Sequence, residues 1–541
     1  MTMFWRDVDP FVSEEVINGV KMKTYRERPK TLSETLESSV ERFPDKVALV
    51  HGDERLTYRE LKTQVNNMAY QLRNRYGIEK GDCIALLLMN GTPFVVSVYA
   101  AMQIGAVAVP LNTKLKTEEL EFMLQDSGAK VLITNMEWWK NIKPIKDKIL
   151  AEYIFITSDQ VPNGTIPYHF LVEDRAIKVI RESVDESDNA FIMYTSGTTG
   201  RPKGALITHR NMIHTCLNYT YCYRLSSDDS TIIAVPVFHI TGLAAQLTTF
   251  IFLGGKIVLM PMFKPKQFLQ LLEQEKITHV IASPTVYVMT LMEPDHGTYD
   301  VSNLRVGAFG GAPMPAETLK ALKNWIPSIE LHNTYGLTET TSPAMLMPDE
   351  HQMRKISSVG VLSPVTEAKI VDPESREKLK PGKVGELIFK GPMVIEEYWN
   401  NEEATKKTIQ DGWLSTGDLA MIDEEGFVTI MDRIKDMINR GGEKIFSVEV
   451  EDVLYSNTKI METAVVGVSD LTYGEVVKAC VVPRSGEILT EEEVKEWVAS
   501  RLAKFKVPTY VEFLDILPRN PNGKVIKTEL RYTPETINKQ K

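Results

Sequence analysis

Tyr194-Thr-Ser-Gly-Thr-Thr-Gly-Arg-Pro-Lys-Gly204 follows directly on the apolar run Ala190-Phe-Ile-Met-Tyr194. The run reads as a buried strand, and the stretch after it as a loop of hydroxyls, glycines and one lysine. Glycines let a backbone wrap closely and turn N–H groups inward, hydroxyls add donors, and Lys203 adds charge. A polyphosphate cradle needs those groups. The loop is not a Walker A sequence, because no Gly-Lys-Ser/Thr closes it at the required spacing. Taken alone, it is also compatible with an ordinary turn-rich surface loop.

Strand and helix signals alternate from about residue 45 to 345. Cys83–Met89, Ala106–Leu111, Lys130–Thr134, Thr231–Val235, Lys256–Met260, Thr278–Ala282, Arg305–Phe309 and Ile329–His332 read as strands. Thr57-Tyr-Arg-Glu60 is a capping box opening a helix, residues 93–104 look helical, and Thr117 begins another helix. This alternation predicts parallel sheets covered by helices. After about residue 355, short strands at close spacing predict a small β-rich unit, and a last α+β piece starts near Lys435. The expected fold is α/β. A large N-terminal domain (1–433) has mostly parallel sheets and a small β-barrel-like subdomain (about 355–433). A small α+β domain (434–541) follows on a hinge.

Composition narrows the function classes. The 541 residues carry a formal charge of −10, with 43% hydrophobic and 25% charged residues. These are globular values, and the acidic balance argues against a general nucleic-acid binder. The four cysteines form no CxxC pair, which fits a reducing, cytoplasmic setting. Ile240–Phe263 is the most apolar stretch, but Thr, Gln, a Gly-Gly pair, Lys and Pro interrupt it. It predicts a buried helix followed by a buried strand rather than a membrane span. The chain is compatible with a monomer or a homodimer.

Three other segments carry chemistry. Asn333-Thr-Tyr-Gly-Leu-Thr-Glu339 lies at a strand's carboxyl end, where open α/β sheets bind ligands. Ser415-Thr-Gly-Asp418 and Asp432-Arg433 are weak signals singly. By themselves Glu339 could be a solvated loop acid, Asp418 a hairpin-turn residue, and Lys524 a solvated lysine after an Asn-Gly turn.

The ordered set is more specific. Tyr194–Gly204, Val235-Pro-Val-Phe-His-Ile-Thr-Gly242, Gly310-Gly-Ala-Pro313, Asn333–Glu339, Gly385-Glu-Leu, Ser415–Asp418, Asp432-Arg-Ile-Lys-Asp-Met-Ile, Gly441-Gly442 and Pro521-Asn-Gly-Lys524 occur in sequence. The chain resembles the adenylate-forming superfamily of acyl-CoA synthetases, luciferases and adenylation domains, over roughly residues 30 to 535. The resemblance implies a two-step reaction. A carboxylate attacks the α-phosphate of ATP, giving acyl-AMP and pyrophosphate, and a thiol, usually coenzyme A, then displaces AMP.

It also implies roles. Thr195, Ser196, Gly197, Thr198, Thr199, Gly200 and Lys203 would hold the β- and γ-phosphates. Gly311, Ala312, Pro313 and Tyr335 would enclose the adenine, with Asn333, Thr334 and Gly336 in the same nucleotide segment. Thr338 would contact the α-phosphate, Glu339 would hold Mg²⁺, and Asp418 and Arg433 would bind the ribose. Lys524 resembles the catalytic lysine, Lys435 the hinge, and Gly442 part of the face shown to the thiol. Glu396-Glu397-Tyr398-Trp399 departs from the family's usual glycine before the tyrosine; it is expected to touch the β-unit and not the chemistry.

His239 and Gly336 fall where the resemblance places the acyl pocket. His239 resembles a gating aromatic position; its residue-level alternative is a core histidine bonded to backbone. Amino-acid-activating members carry an aspartate after the preceding phenylalanine, and this chain carries His239 there. Acetyl-CoA synthetases carry a tryptophan where this chain has Gly336, so the pocket is expected to admit a fatty or aryl acid longer than acetate. Besides a CoA ligase, the sequence leaves three readings: an enzyme loading a carrier-protein thiol, a luciferase-like oxygenase, and an inactive nucleotide-binding regulator.

Overall fold

The computed structural model describes residues 4–173, 182–195, 201–519 and 523–532. The chain forms two compact units, Met1–Ala368 with Ile388–Ser415, and Lys369–Leu387 with Thr416–Lys541. Each crossing lies inside a strand: Glu367–Val371, Gly385–Lys390 and Trp413–Ile422.

Two large sheets build the first unit. In the seven-stranded one, Val107–Pro110, Cys83–Leu87, Val131–Thr134 and Tyr153–Ile156 run parallel, and Asn189–Thr195 joins parallel to Val107–Pro110. Cys83–Leu87, Val107–Pro110 and Val131–Thr134 are buried at every position, as expected of strands covered on both faces. The nine-stranded sheet has a parallel centre of Val47–His51, Lys256–Leu259, Ser230–Ile233, His279–Ala282, Val306–Gly310 and Glu330–Tyr335. The predicted strands are thus present to within a residue or three. The sequence reading lacked the hairpin Val12–Ile17/Val20–Tyr25, the strand Tyr153–Ile156 and the strand Lys203–Thr208.

Helix Tyr58–Asn74 starts at the predicted box: Thr57 Oγ1 accepts from Glu60 N at 3.2 Å, and Glu60 accepts from Thr57 N at 2.7 Å. Helix Thr92–Gln103 is apolar on nearly every face and buried along its length. The apolar stretch after Ile240 is a π-type turn of helix (Thr241–Thr248), a short helix (Thr249–Leu253) and a buried strand (Lys256–Leu259). Among the described residues no helix is long and apolar enough to cross a membrane.

The second unit is α+β. Ile460–Asp470 and Gly474–Pro483 form a long antiparallel pair, Tyr510–Phe513 lies parallel to the latter, and helices Ser447–Tyr455 and Glu491–Ala499 belong to the same unit. Cys83, Cys216, Cys222 and Cys480 are all buried and outside disulfides. Burial pushes the thiols up, to about 12 for Cys83 and about 11 for Cys216 and Cys480.

The first unit carries a built-in acid sensitivity. Burial lowers His209 to about 4, and His214 and His279 to about 3. His209 Nδ1 accepts from Leu32 N at 3.1 Å, a bond that needs the nitrogen unprotonated. Glu275 is held at about 2 by hydrogen bonds from Arg55 and Lys256, and Glu330 at about 2 by His332 and then Arg224. Each group binds its proton more readily when unfolded, so stability falls with pH below the ordinary values of 6.5 and 4.5. Calorimetric unfolding should therefore shift steadily downward from about pH 7 to about pH 4. A flat profile there would contradict the assignment.

Candidate active site

In the first unit, the strands Asn189–Thr195 and Lys203–Thr208 pair antiparallel, with Thr195 opposite Lys203. They bring together the two ends of the glycine-rich loop; Ser196, Gly197, Thr198, Thr199 and Gly200 lie outside the described residues. Thr195 Oγ1 donates to Glu339 Oε1 at 3.3 Å. Glu339 sits in a short 3₁₀ turn, Thr338–Thr340, just past the strand Glu330–Tyr335. The carboxylate is therefore tied to the base of the loop and is not a freely solvated acid.

The sequence sets Tyr398 in the β-unit, and the structure places it against Glu339. Tyr398 OH donates to Glu339 Oε1 at 2.9 Å, and Lys203 Nζ lies 5.0 Å from the centre of its ring. The segment covers the open edge of strand Lys203–Thr208. Trp399 N donates to Gly204 O at 2.7 Å, and Leu206 N to Glu397 O at 3.2 Å. Adding backbone partners to a sheet edge fixes side chains in register. The aromatic pair Tyr-Trp was the available signal, but its partner lies 59 residues away in the chain. Asp126 was missed as well. Its carboxylate accepts from Tyr194 OH at 2.6 Å, and its backbone O accepts from Trp399 Nε1 at 2.9 Å. It pins both sides of the loop's base.

Gly310 and Thr334 are neighbours on parallel strands, so Gly311 and Tyr335 lie side by side at the sheet's carboxyl end. A Cβ on Gly310 would lie 2.3 Å from Thr334 O, and Gly311 has φ +79°. Both positions therefore need glycine. Gly311, Ala312 and Pro313 are exposed, and Tyr335 is half-buried. Asn333 is buried, with its amide donating to Ser358 O at 3.1 Å, and Thr334 Oγ1 bonds Tyr223 OH at 2.5 Å. These two side chains brace the strand.

His239 keeps an exposed face while the surrounding protein crowds its ring. Thr241 N donates to its Nδ1 at 3.3 Å, and crowding by surrounding protein lowers its pKa. Gly336 does more than leave space. A Cβ there would lie 3.1 Å from Thr340 Oγ1 and 3.3 Å from Ser342 Cα and Ala344 N. The glycine lets the chain fold back closely on itself, and a side chain at this position requires those neighbours to give by a few tenths of an ångström.

The second unit gathers the remaining groups. Ser415–Asp418 is no turn: it lies within the ten-residue strand Trp413–Ile422, and Asp418 faces Arg433 across the pair with Val428–Arg433. Asp418 is buried, and Arg433 Nε donates to its Oδ1 at 3.0 Å. Lys524 keeps solvent contact. Protein crowding, and then Arg433, lower its amine below the usual lysine value, while Asp418 opposes. Pro521 and Asn522 of its motif lie outside the described residues. Lys435 is exposed in a turn, its carbonyl accepting from Arg531 at 2.8 Å. The stretches on either side of it are joined. Asp432 accepts from Ser447 N and, at 3.0 Å, from Ser447 Oγ, while Lys527 bonds Ser447 Oγ and Glu451, each at 2.7 Å. Gly442 is exposed with φ +96°.

Residues 36–399 match the family of AMP-binding enzymes, and residues 449–524 match the AMP-binding enzyme C-terminal domain. The chain belongs to the AMP-binding enzyme family. This AMP-binding enzyme is 37% identical over 488 residues to a feruloyl-CoA synthase from Amycolatopsis, covering 90% of this chain and 96% of that protein. It is 35% identical over 491 residues to a long-chain-fatty-acid–CoA ligase from Mycobacterium tuberculosis, covering 88% and 93%. Among solved structures it is similar to o-succinylbenzoate CoA synthetase from Bacillus subtilis in complex with ATP and magnesium ion. That match has TM-score 0.83 and 32% identity, covering 94% of this chain and 100% of that one. The same synthetase in complex with its acyl-adenylate intermediate also gives TM-score 0.83.

An Mg²⁺ ion fits the described donors of this AMP-binding enzyme. Among the described residues no cluster of three or more His, Cys, Asp or Glu side chains could cage a metal. The Glu339 carboxylate stands at the base of the loop, bonded to Thr195. Mg²⁺ is commonly held this way, by one or two carboxylates with substrate phosphates and waters.

Proposed function

We propose that this AMP-binding enzyme is a carboxylic acid–CoA ligase whose acid is a fatty (medium- or long-chain) or aryl acid. It is an AMP-forming acid–thiol ligase that uses ATP, Mg²⁺ and coenzyme A. The observation that carries the site assignment is the hydrogen-bonded junction of Glu339 with Thr195 at the base of the glycine-rich loop. It joins a metal-competent carboxylate to a phosphate-competent loop.

In the first half-reaction the acid's carboxylate oxygen attacks the α-phosphorus, and the bond to pyrophosphate breaks. Both partners are anions, so the protein's contribution is positioning and charge neutralisation. Thr195–Gly200 and Lys203 hold the β- and γ-phosphates, and Thr338 the α-phosphate. Gly311–Pro313 and Tyr335 enclose the adenine. Asp418 accepts the ribose hydroxyls, oriented by Arg433. Glu339 holds Mg²⁺, which when bound neutralises phosphate charge. Lys524 bridges the acid and the α-phosphate. In the second half-reaction the CoA sulfur attacks the acyl carbon and AMP leaves with the bonding pair. Rotation about Lys435 would then bring Gly442 to the thiol. We place the enzyme in the cytoplasm, a reading supported by four cysteines outside disulfides.

His239 and Gly336 border the acyl pocket in this reading. Activity should rise from acetate toward medium or long chains, or toward aryl acids. Each buried methylene is worth up to ~0.8 kcal/mol, about fourfold in kcat/KM. The measurement is AMP release, with and without CoA, across straight-chain acids from acetate to palmitate, plus benzoate, cinnamate and ferulate. A preference for acetate sinks the substrate reading. Pyrophosphate exchange without CoA-dependent turnover would point instead to a carrier-protein acceptor.

A further inference from the structure

We propose that Tyr398 is a positioning residue for the Glu339 carboxylate, its hydroxyl fixing which oxygen the carboxylate offers to magnesium. The proposal rests on the reading of Glu339 as the magnesium ligand. Three observations carry it. First, an ionised carboxylate only accepts, so the 2.9 Å bond must run from Tyr398 OH to Glu339 Oε1. Thr195 donates to the same oxygen at 3.3 Å. Two donors on one oxygen set the carboxylate's rotation and leave Oε2 as the better-placed donor for a cation.

Second, the tyrosine is itself locked. It is 5% exposed, and the backbone bonds of Glu397 and Trp399 to the strand Lys203–Thr208 flank it. Arg210 holds Glu396 at 3.3 Å, and Asp126 O anchors the Trp399 indole. Third, the ring lies beside Lys203 Nζ. One side chain thus orders both the acid expected to bind the metal and the lysine expected to bind the phosphates. Partners of this kind, which orient a ligand without touching the metal, typically contribute 10–100-fold to metal affinity.

The test compares wild type, Tyr398→Phe and Glu339→Gln, with α,β-methylene-ATP as the probe. The analogue is titrated calorimetrically with Mn²⁺ and again in EDTA; the ratio of the two affinities is what the metal adds. The electron paramagnetic resonance spectrum of bound Mn²⁺ reports its ligand environment. Phenylalanine keeps the ring beside Lys203 and removes one oxygen. Tyr398→Phe should lower the ratio about tenfold, broaden the Mn²⁺ spectrum and leave the metal-free affinity near wild type. Glu339→Gln should lower the ratio at least as far. If Glu339→Gln lowers the ratio and Tyr398→Phe does not, the positioning role is wrong and the Glu339 reading stands. If Tyr398→Phe weakens metal-free and metal-bound affinity equally, the tyrosine only supports the loop, and the proposal fails. A Glu339→Gln protein with an unchanged ratio would overturn the Glu339 reading itself.

Discussion

Lys524→Ala should lose adenylation by roughly 10²–10³-fold, the cost of deleting one preorganised charge partner of a transition state. Conversion of preformed acyl-AMP and CoA to thioester should continue near the wild-type rate. The asymmetry follows from the assignment: the lysine neutralises two anions only while the acid attacks the α-phosphate. Its environment adds a pH signature. Crowding and Arg433 lower its pKa from 10.5, so the protonated form is lost earlier on the alkaline side than for an ordinary lysine. Adenylation should fall as pH rises through that value, and Lys524→Arg should move the fall to higher pH. Single-turnover measurement of each half-reaction decides. Equal losses in both halves would reject the assignment, as would an alkaline limb unmoved by arginine.

Asp418→Ala should weaken ATP binding by about 1.5–3 kcal/mol, roughly ten- to hundredfold, through loss of charge-assisted bonds to the ribose. The structure adds a complication with a testable consequence. Asp418 is buried and holds Arg433 at 3.0 Å, so alanine also removes a charged hydrogen-bond acceptor from the guanidinium. Asp418→Asn keeps shape and one acceptor, so it should lose less affinity and less stability than alanine. Calorimetric titration of ATP against all three folded proteins checks the order. An alanine protein that binds ATP as tightly as wild type would end the ribose role, leaving Asp418 a structural partner of Arg433.

Most of the buried strands were legible in the sequence, because short continuous apolar runs such as Cys83–Leu87 and Val131–Thr134, bounded by polar residues, suit a strand covered on both faces. The places of Thr195, Lys203 and Gly311 at strand ends were legible as well, since glycine and hydroxyl patterns there are local. Legibility failed where function depends on contact between remote segments. Tyr398 follows two glutamates and is expected only to touch the β-unit, yet it meets Glu339 because Trp399 and Glu397 pair with a strand that the sequence reading lacked. Asp126 closes a helix in one part of the chain and braces a loop in another. Gly336 reads as open space, and the close return of the backbone around it becomes visible only in the fold. No local periodicity encodes any of these.

The buried cysteines bear on how the reaction can be followed and kept clean. Acyl-adenylates react with any accessible thiolate, so an enzyme with a surface cysteine risks acylating itself. Here the thiols are all internal, with pKa values raised by burial, so they offer almost no thiolate near neutral pH. The mixed anhydride therefore meets coenzyme A, not the enzyme's own sulfur. For the same reason, a thiol-specific dye added to the folded protein counts free coenzyme A and little else. Its consumption becomes a direct clock for turnover.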